Sequence, residues 1–288
     1  MDRCEGLVNL PLSAHTGRWV CLLLSIVLLS EDGRASPADA ARCAPSGHVQ
    51  RVVLRYVSDG DTLVLADGRR VRLIGINAPE IGRDGRPDER LARQAKTALQ
   101  RFLGEVDTIG IQPDTAATDR YGRVLAHVFS DRSRSVKGAD ASANAACHLL
   151  ESGLAWRVTI PPNLRYQPDY LAAEELARSG ARGLWSARSE RAPVSGSLAG
   201  SGFRLLRANI VAVDFDGDWW LAADRGFVVR IRRADQQYFD RAQLSSLVSK
   251  RVEARGWMYQ RNVSTAAPGK GRGGVLLLGH PASIKVID

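Results

Sequence analysis

Two Asp-Gly dipeptides separated by one short β-rich run constrain the fold of residues 51–75 more than any other feature. The runs "RVVLRYV", "TLVLA" and "RRVRLIGI" are rich in β-branched and aliphatic residues, and Asp59-Gly60 and Asp67-Gly68 lie between them. Asp-Gly between such runs is a strong signal for a tight β-hairpin. The pattern therefore predicts consecutive hairpins starting near residue 51.

Helical and strand-like segments alternate after these hairpins. Residues 87–103 open with proline and acidic residues and carry an apolar stripe at helical spacing, which predicts a helix. Further helices are predicted over 141–152 and 169–179, and strand-like runs lie around 106–112 and 123–129. The predicted fold class for residues 41–188 is therefore α+β.

The remaining chain has the pattern of a second, smaller domain. Residues 189–201 are rich in Ser, Gly and Ala without periodicity, which indicates a linker. Within 202–288 the predicted order is three strands, a helix near 234–248 and two strands, with a last short run at the end. This is the order of an OB-type barrel, so we expect a second small OB-like β-barrel domain.

The two predicted domains also contain similar sequence segments. "VSDGDTLVLADGRRVRL" and "DFDGDWWLAADRGFVVRI" both have a DGD turn, a strand, a second turn and a basic strand. With one residue inserted, Asp61 aligns with Asp218 and Arg72 with Arg230. The first copy continues to "APE", whereas Tyr238 stands where that glutamate would fall. The alternative is a coincidence between two Asp-Gly hairpins.

The N-terminal residues resemble a targeting segment. Residues 19–30 form a twelve-residue apolar run, too short for a comfortable bilayer span but suited to a signal-peptide core. Residues 38–40 (Ala-Asp-Ala) fit the small-residue rule for a cleavage site. We therefore predict a signal peptide over 1–40 and a secreted or periplasmic protein without a stable membrane partner. The alternative is a membrane anchor formed by residues 19–30.

The charge balance is compatible with a polyanionic partner. The 288 residues carry a formal net charge of +9, and residues 1–40 contain three arginines and five acids, so the rest has about +11. Positive excess raises encounter rates with phosphate-rich molecules. A soluble basic protein without such a partner would have the same charge, and the sequence leaves the oligomeric state open.

Two cysteines, Cys43 and Cys147, remain after removal of the predicted signal peptide. In an oxidising compartment, two cysteines are compatible with a single disulfide. The alternative is that Cys147 is a small core residue on a helix and that Cys43 lies near a frayed terminus.

The charges within residues 59–80 match the requirements of phosphodiester hydrolysis. The phosphate is anionic, so positive charge must neutralise it as the transition state forms, and guanidinium groups are suited to this task. A carboxylate must orient or deprotonate the attacking water, and a hard cation held by oxygen ligands can polarise the phosphoryl group. Residues 59–80 together with Arg123 supply all of these groups. Each charge alone is more often a turn residue, a solvated strand residue or a helix cap.

Three separate motifs in this region resemble the staphylococcal nuclease (thermonuclease-like) family. "DGDTL", "RLIGINAPE" and "DRYGRVLA", followed by "GLAW", occur in the family's order and spacing, and the resemblance covers roughly residues 52–185. It implies an OB-type five-stranded β-barrel with three helices. It also implies a phosphodiesterase, specifically a calcium-dependent endonuclease that binds and cleaves DNA and/or RNA.

The resemblance carries specific roles onto residues of this chain. Arg72 and Arg123 correspond to the two phosphate-binding arginines, and Glu80 corresponds to the residue that activates or positions water. Tyr121 and Arg120, within "DRYGR", are the candidates for contact with the substrate nucleotide.

The resemblance also implies a calcium site with one departure. Asp61 corresponds to the metal-ligating aspartate, and Asn77 and Ala78 correspond to the two remaining protein ligands, the latter through its carbonyl. The family usually has aspartate at the position of Asn77. Calcium affinity depends on the charge of the ligands, so we expect weaker calcium binding here. The alternative function is a catalytically weak or inactive nucleic-acid-binding module of the same fold.

The C-terminal domain combines tryptophans with basic residues. Trp219, Trp220 and Trp257 lie among arginines, and residues 202–288 hold fourteen Lys/Arg against eight Asp/Glu. Aromatic faces with basic neighbours on an OB-type barrel suit single-stranded nucleic acid. One of the adjacent pair Trp219 and Trp220 must nevertheless point into the barrel, because successive strand residues face opposite sides.

Overall fold

The computed structural model describes residues 43–104, 108–130, 144–186, 201–261 and 273–287. The predicted signal peptide, the apolar run 19–30 and almost all of the predicted linker lie outside these residues. In the part described, no helix has the length and apolar character needed to cross a bilayer. The chain from Ser36 onward belongs to one compact unit.

Five strands form a closed barrel in the first half of this unit, in the order β1-β2-β3-β6-β5 and back to β1. The Asp-Gly hairpins join β1 to β2 and β2 to β3, as predicted, and Gly68 takes the positive φ of 87° that the second turn requires. The core is fully buried aliphatic residues such as Leu63, Val71 and Ile109. In chain order, the strands are β1 (Gln50–Val57), β2 (Thr62–Leu65), β3 (Arg70–Leu73), β4 (Ile76–Asn77), β5 (Thr108–Thr118), β6 (Val124–Ser130) and β7 (Trp156–Arg157).

The strand pairing brings distant charged residues together at one end of this barrel. On the β2–β3 hairpin, Arg72 lies opposite Thr62, so it is next to Asp61. Strand β6 runs parallel to β3, with Leu125 opposite Arg72, so Arg123 immediately precedes the strand beside Arg72.

Three helices pack on the barrel: α1 (Ala92–Leu103), α2 (Ala145–Glu151) and α3 (Gln167–Ser179). Helix α1 buries Ala95, Leu99 and Phe102, which belong to the predicted stripe. The prediction that this helix starts at residue 87 is wrong. Leu91 has a left-handed φ of 72°, so the helical turns begin only at Ala92.

A disulfide joins Cys43, just before β1, to Cys147 on α2. The two Cα atoms are 6.5 Å apart, and 104 positions separate the residues in sequence. Both side chains are buried in the barrel core. Of the two alternatives left open by the sequence, the structure has the bridge, which ties the start of the barrel to a helix on its surface.

The second half of the unit is another closed barrel with the same pairing scheme. The ring order is β8-β9-β10-β12-β11 and back to β8, and β10 runs parallel to β12 as β3 does to β6. The predicted α+β class with two OB-type barrels is therefore confirmed. The elements are β8 (Gly202–Asp214), β9 (Trp219–Ala223), β10 (Val228–Ile231), α4 (Arg241–Ser245), β11 (Arg251–Arg261), β12 (Gly273–Leu277) and β13 (Ile284–Val286), with a 3₁₀ turn at Arg233–Tyr238 in the first part of the predicted helix.

Buried charges connect the two barrels. Arg255 on β11 donates from Nη1 to both carboxylate oxygens of Glu174 on α3, at 2.7 and 2.8 Å. Glu253, also on β11, accepts from Nε of Arg207 at 3.1 Å and pairs with Arg178 of α3. Burial disfavours the ionised form of Glu253, but the hydrogen bonds and charges of Arg178, Arg255 and Arg207 together outweigh this and lower its pKa. The barrels are thus held together by ion pairs whose carboxylates are almost fully excluded from water.

Candidate active site

The DGD turn places a buried carboxylate at one end of the first barrel. Asp61 is only 4% exposed, and its Oδ2 accepts the N–H of Ala78 at 2.8 Å. Thr62 donates from its hydroxyl to Oδ1, and Asp59, also buried, accepts the N–H of Asp61. Burial raises the pKa of Asp61 to about 6; the nearby Arg72 opposes this shift, and the Asp59 carboxylate adds to it.

Arg72 is held in a fixed orientation above this carboxylate. Its Nη1 donates to the carbonyls of Leu73 and Ile76, at 3.1 and 2.9 Å. Its Nη2 lies 3.0 Å from Oδ2 of Asp61 and donates to Oδ1 of Asn77 at 3.1 Å. The guanidinium is therefore preorganised, and Asp61 and Asn77 share a contact with its Nη2.

Glu80 lies at the rim of the same region. Its backbone is fixed by two hydrogen bonds with Glu89, one in each direction. Partial burial raises the pKa of the Glu80 carboxyl, and the negative charge of Asp59 acts in the same direction. A carboxylate with a raised pKa accepts a proton more readily than one in free solution.

Arg123 is positioned by a carboxylate that sequence reasoning missed. Asp119 accepts from the N–H and from Nε of Arg123, at 3.0 and 2.7 Å. Partial burial disfavours ionisation of Asp119, but the hydrogen bonds from the Arg123 side chain and from the N–H groups of Arg123 and Tyr121 together outweigh it, and the pKa of Asp119 is lowered. Within the described residues, the terminal nitrogens of Arg123 make no hydrogen bond, so they remain for a ligand. The motif "DRYGR" contains both residues, so the sequence could have indicated this pair.

An exposed tyrosine stands beside this arginine. Tyr121 is 68% exposed, and its hydroxyl accepts from Nη2 of Arg120 at 2.7 Å. The guanidinium carbons of Arg120 and Arg123 lie 4.8 and 5.5 Å from the centre of the ring. An exposed ring flanked by two cations is suited to contact with a nucleotide base or its phosphate.

These side chains border one cleft of about 500 Å³. Ligand sites commonly have volumes of roughly 300–1,000 Å³. The lining includes six of the residues singled out by sequence and also Trp257 of the second barrel, which sequence analysis had not placed there. The cleft residues are Arg70, Arg72, Asn77, Glu80, Arg120, Tyr121, Arg123 and Trp257.

The remaining predicted site residues lie below or away from the cleft. Asp61 contacts the inner side of Arg72, and Ala78 contacts Asp61 through its N–H. Cys43 and Cys147 are structural core residues. The proximity of Trp257 had no signal in the sequence, because it depends on how the second barrel packs on the first.

The donor groups below Arg72 fit a hard cation. Asp59 and Asp61 are two buried carboxylates, and Asn77 adds an amide oxygen, so the donor set consists of oxygen, as Ca²⁺ requires. Among the described residues, no three His, Cys, Asp or Glu side chains converge as a metal-binding group. Asn77 and backbone carbonyls would therefore have to complete the coordination.

Two arginines, one glutamate and buried carboxylates around a single cleft can bind a phosphate ester, offset its charge and orient a water molecule. Fold and site together define a β-barrel protein with a cleft lined by arginines and a glutamate. Comparison with known protein families makes this more specific. Residues 70–187 match the family described as staphylococcal nuclease homologue. The match covers less than half of the chain and shows a likeness of this part to staphylococcal nucleases.

Three similar proteins each match less than half of this chain. The thermonuclease of Staphylococcus intermedius is 29% identical over 137 residues, which are 46% of this chain and 74% of the relative. The succinoglycan biosynthesis protein ExoI of Rhizobium meliloti is 31% identical over 140 residues, or 47% of this chain and 65% of the relative. A probable endonuclease, lcl3 of Penicillium rubens, is 31% identical over 120 residues and 40% of each chain. The chain thus spans less than two thirds of the latter two.

Proposed function

We propose that this protein is an exported, calcium-dependent nuclease that hydrolyses phosphodiester bonds of DNA and/or RNA. The observation that carries the proposal is the convergence of Arg72, Glu80 and Arg123 on one cleft, with Asp61 at its base. The family match of residues 70–187 supports the reaction class.

In the proposed mechanism, Arg72 and Arg123 bind the non-bridging oxygens of the scissile phosphate. Their orientations are set in advance by Asp61, Asn77 and Asp119, so little reorganisation is needed as negative charge develops. Glu80 accepts a proton from a water molecule as the water oxygen forms a bond to phosphorus. The bond between phosphorus and the departing ester oxygen breaks on the opposite side, and that oxygen takes a proton from solvent.

Asp61, Asn77 and the carbonyl of Ala78 would hold the calcium ion. When bound there, calcium would supply positive charge next to the phosphoryl oxygens. Arg72 contacts the same two side-chain oxygens, so it would share them with the ion.

Export is proposed on two grounds. Residues 1–40 have the pattern of a signal peptide, and the Cys43–Cys147 disulfide is a bond typical of oxidising compartments. N-terminal sequencing of the mature protein distinguishes cleavage near residue 40 from retention through residues 19–30.

The first experiment is incubation of the full chain with single-stranded DNA, in calcium or in excess chelator. The proposal expects cleavage in calcium and its loss in chelator, measured by release of acid-soluble nucleotides. Binding without chelator-sensitive cleavage would instead favour a nucleic-acid-binding module. That second function is favoured by one observation, because Asn77 brings no charge to the site.

Asn77→Asp is expected to tighten calcium binding by about 10-fold or more, because it restores a negative ligand charge close to the ion. Asn77→Ala removes the ligand oxygen and is expected to weaken binding relative to wild type. Calorimetric titration with calcium measures all three proteins. Equal affinities across the series would show that Asn77 is not a calcium ligand.

A further inference from the structure

A row of directly opposite side chains crosses the outer face of the second barrel. Strand register places each member opposite the next on the neighbouring strand, across β8, β11, β12, β10 and β9. The row, called here the outer row, consists of Phe203, Trp257, Leu277, Arg230 and Trp220.

The chain neighbours of this row fill the barrel core. Met258, Leu276, Val229 and Leu221 directly follow or precede its members and all belong to the buried core cluster. Successive strand residues face opposite sides of a sheet, so the outer row points away from the core. Trp219, and not Trp220, is the tryptophan buried in the barrel.

Contacts along the row hold its rings and its cation in place. Phe203 packs edge-on against Trp257, with ring centres 5.3 Å apart and planes at 71°. The guanidinium carbon of Arg230 lies 5.4 Å from the centre of the Trp220 ring. Nη1 of the same arginine donates to the Tyr259 hydroxyl at 2.8 Å. The row therefore presents three aromatic rings and one arginine, whose charge Asp218 offsets through an ion pair.

The outer row is continuous with the cleft of the first barrel. Trp257 is 38% exposed and lines the same cleft as Arg72, Glu80 and Arg123. From Trp257 to Trp220 the row crosses three strand spacings, which is roughly 14 Å. A polymer held by the two arginines can thus continue onto the second barrel without leaving the protein surface.

We propose that the outer row is a stacking track for the single-stranded segment of a nucleic acid that flanks the cleaved bond. The proposal rests on the nuclease function for its substrate. Unpaired bases have free faces that stack on tryptophan, whereas bases in a duplex already stack on each other. The backbone phosphates would be attracted by the basic surplus of residues 202–288, fourteen Lys/Arg against eight Asp/Glu. This combination of aromatic rings and positive charge is how OB-type barrels hold single strands.

The test compares Trp257→Ala and Trp220→Ala with wild type, using full-length protein in chelator so that DNA stays intact. Fluorescence anisotropy measures binding of labelled oligothymidylates of 4 and 12 nucleotides and of a 12-base-pair duplex. Stacking of one base changes affinity by about 5- to 100-fold. We expect each substitution to weaken 12-mer binding within this range, Trp220→Ala to affect the 4-mer less, and duplex binding to change less than twofold.

Controls separate stacking from folding. Trp220→Phe keeps a ring and is expected to retain most of the affinity. Val211 is an exposed residue of β8 that lies outside the outer row, so Val211→Ala should leave binding unchanged. Thermal unfolding of every variant checks that the fold is intact, and if Trp257→Ala does not fold, Trp220→Ala alone decides.

The outcomes distinguish this proposal from the nuclease function. Unchanged 12-mer affinity in both alanine variants would overturn the stacking track even if the wild type cleaves DNA. An equal loss on duplex and single strand would also overturn it, because base stacking would not be the cause. Length-dependent loss in a protein that cleaves nothing would support the track and would refute only the nuclease.

Discussion

Glu80→Gln is expected to lower kcat for cleavage of single-stranded DNA by about 10²- to 10⁴-fold, the range for loss of a general base. Glutamine keeps the shape of the side chain but cannot take a proton from water. The phosphate-binding arginines remain, so KM should change little. Steady-state rates in saturating calcium measure the effect.

Glu175→Gln is the matched control for this substitution. It makes the same chemical change at an exposed position of α3, outside the cleft, and should leave kcat within a factor of two. A kcat for Glu80→Gln within threefold of wild type would remove Glu80 from the proposed mechanism.

Arg255→Met is expected to reduce the free energy of unfolding by about 3 kcal/mol. It removes the Nη1 group that donates to both carboxylate oxygens of Glu174, and breaking a buried ion pair leaves a poorly compensated charge. The value lies at the low end of the usual range because two other arginines remain near the Glu174 carboxylate. The Nε atoms of Arg157 and Arg178 lie 3.7 and 3.9 Å from its Oε2. Urea denaturation followed by circular dichroism measures it.

Arg232→Met provides the comparison on the protein surface. Arg232 is 56% exposed and pairs with Asp235, and exposed ion pairs contribute about 0–1 kcal/mol. If Arg255→Met cost no more than Arg232→Met, the buried cluster between the barrels would not contribute to stability.

Local sequence patterns predicted the barrels well, because the residues that determine a hairpin and its turn are neighbours in the chain. Asp59-Gly60 and Asp67-Gly68 lie at the turns that they predicted, and the element order of 202–288 gave the second barrel. The start of α1 was misplaced because Pro87 and the acids after it resemble a helix opening, whereas the chain reaches helical geometry only after the left-handed Leu91.

Contacts between distant segments could not be predicted in this way. Glu174 reads as an ordinary helix-surface glutamate, since this residue type is rarely buried unless paired. Its burial follows from an arginine 81 positions later in the chain. Trp257 likewise reaches the cleft only through the packing of the second barrel on the first. The candidate catalytic residues were found because three short motifs carry them.

The second barrel repeats more of the first than its strand order. Asp218 accepts from Nε of Arg230 at 2.7 Å, across the same hairpin on which Asp61 meets Arg72. Tyr238 aligns with Glu80 of the first barrel. The second barrel therefore has the aspartate–arginine pair but lacks the glutamate that is proposed to activate water. An aspartate–arginine pair at this position is therefore compatible with a purely structural role. A search for further enzymes with this barrel should give more weight to a glutamate at the position of Glu80 than to the Asp61–Arg72 pair.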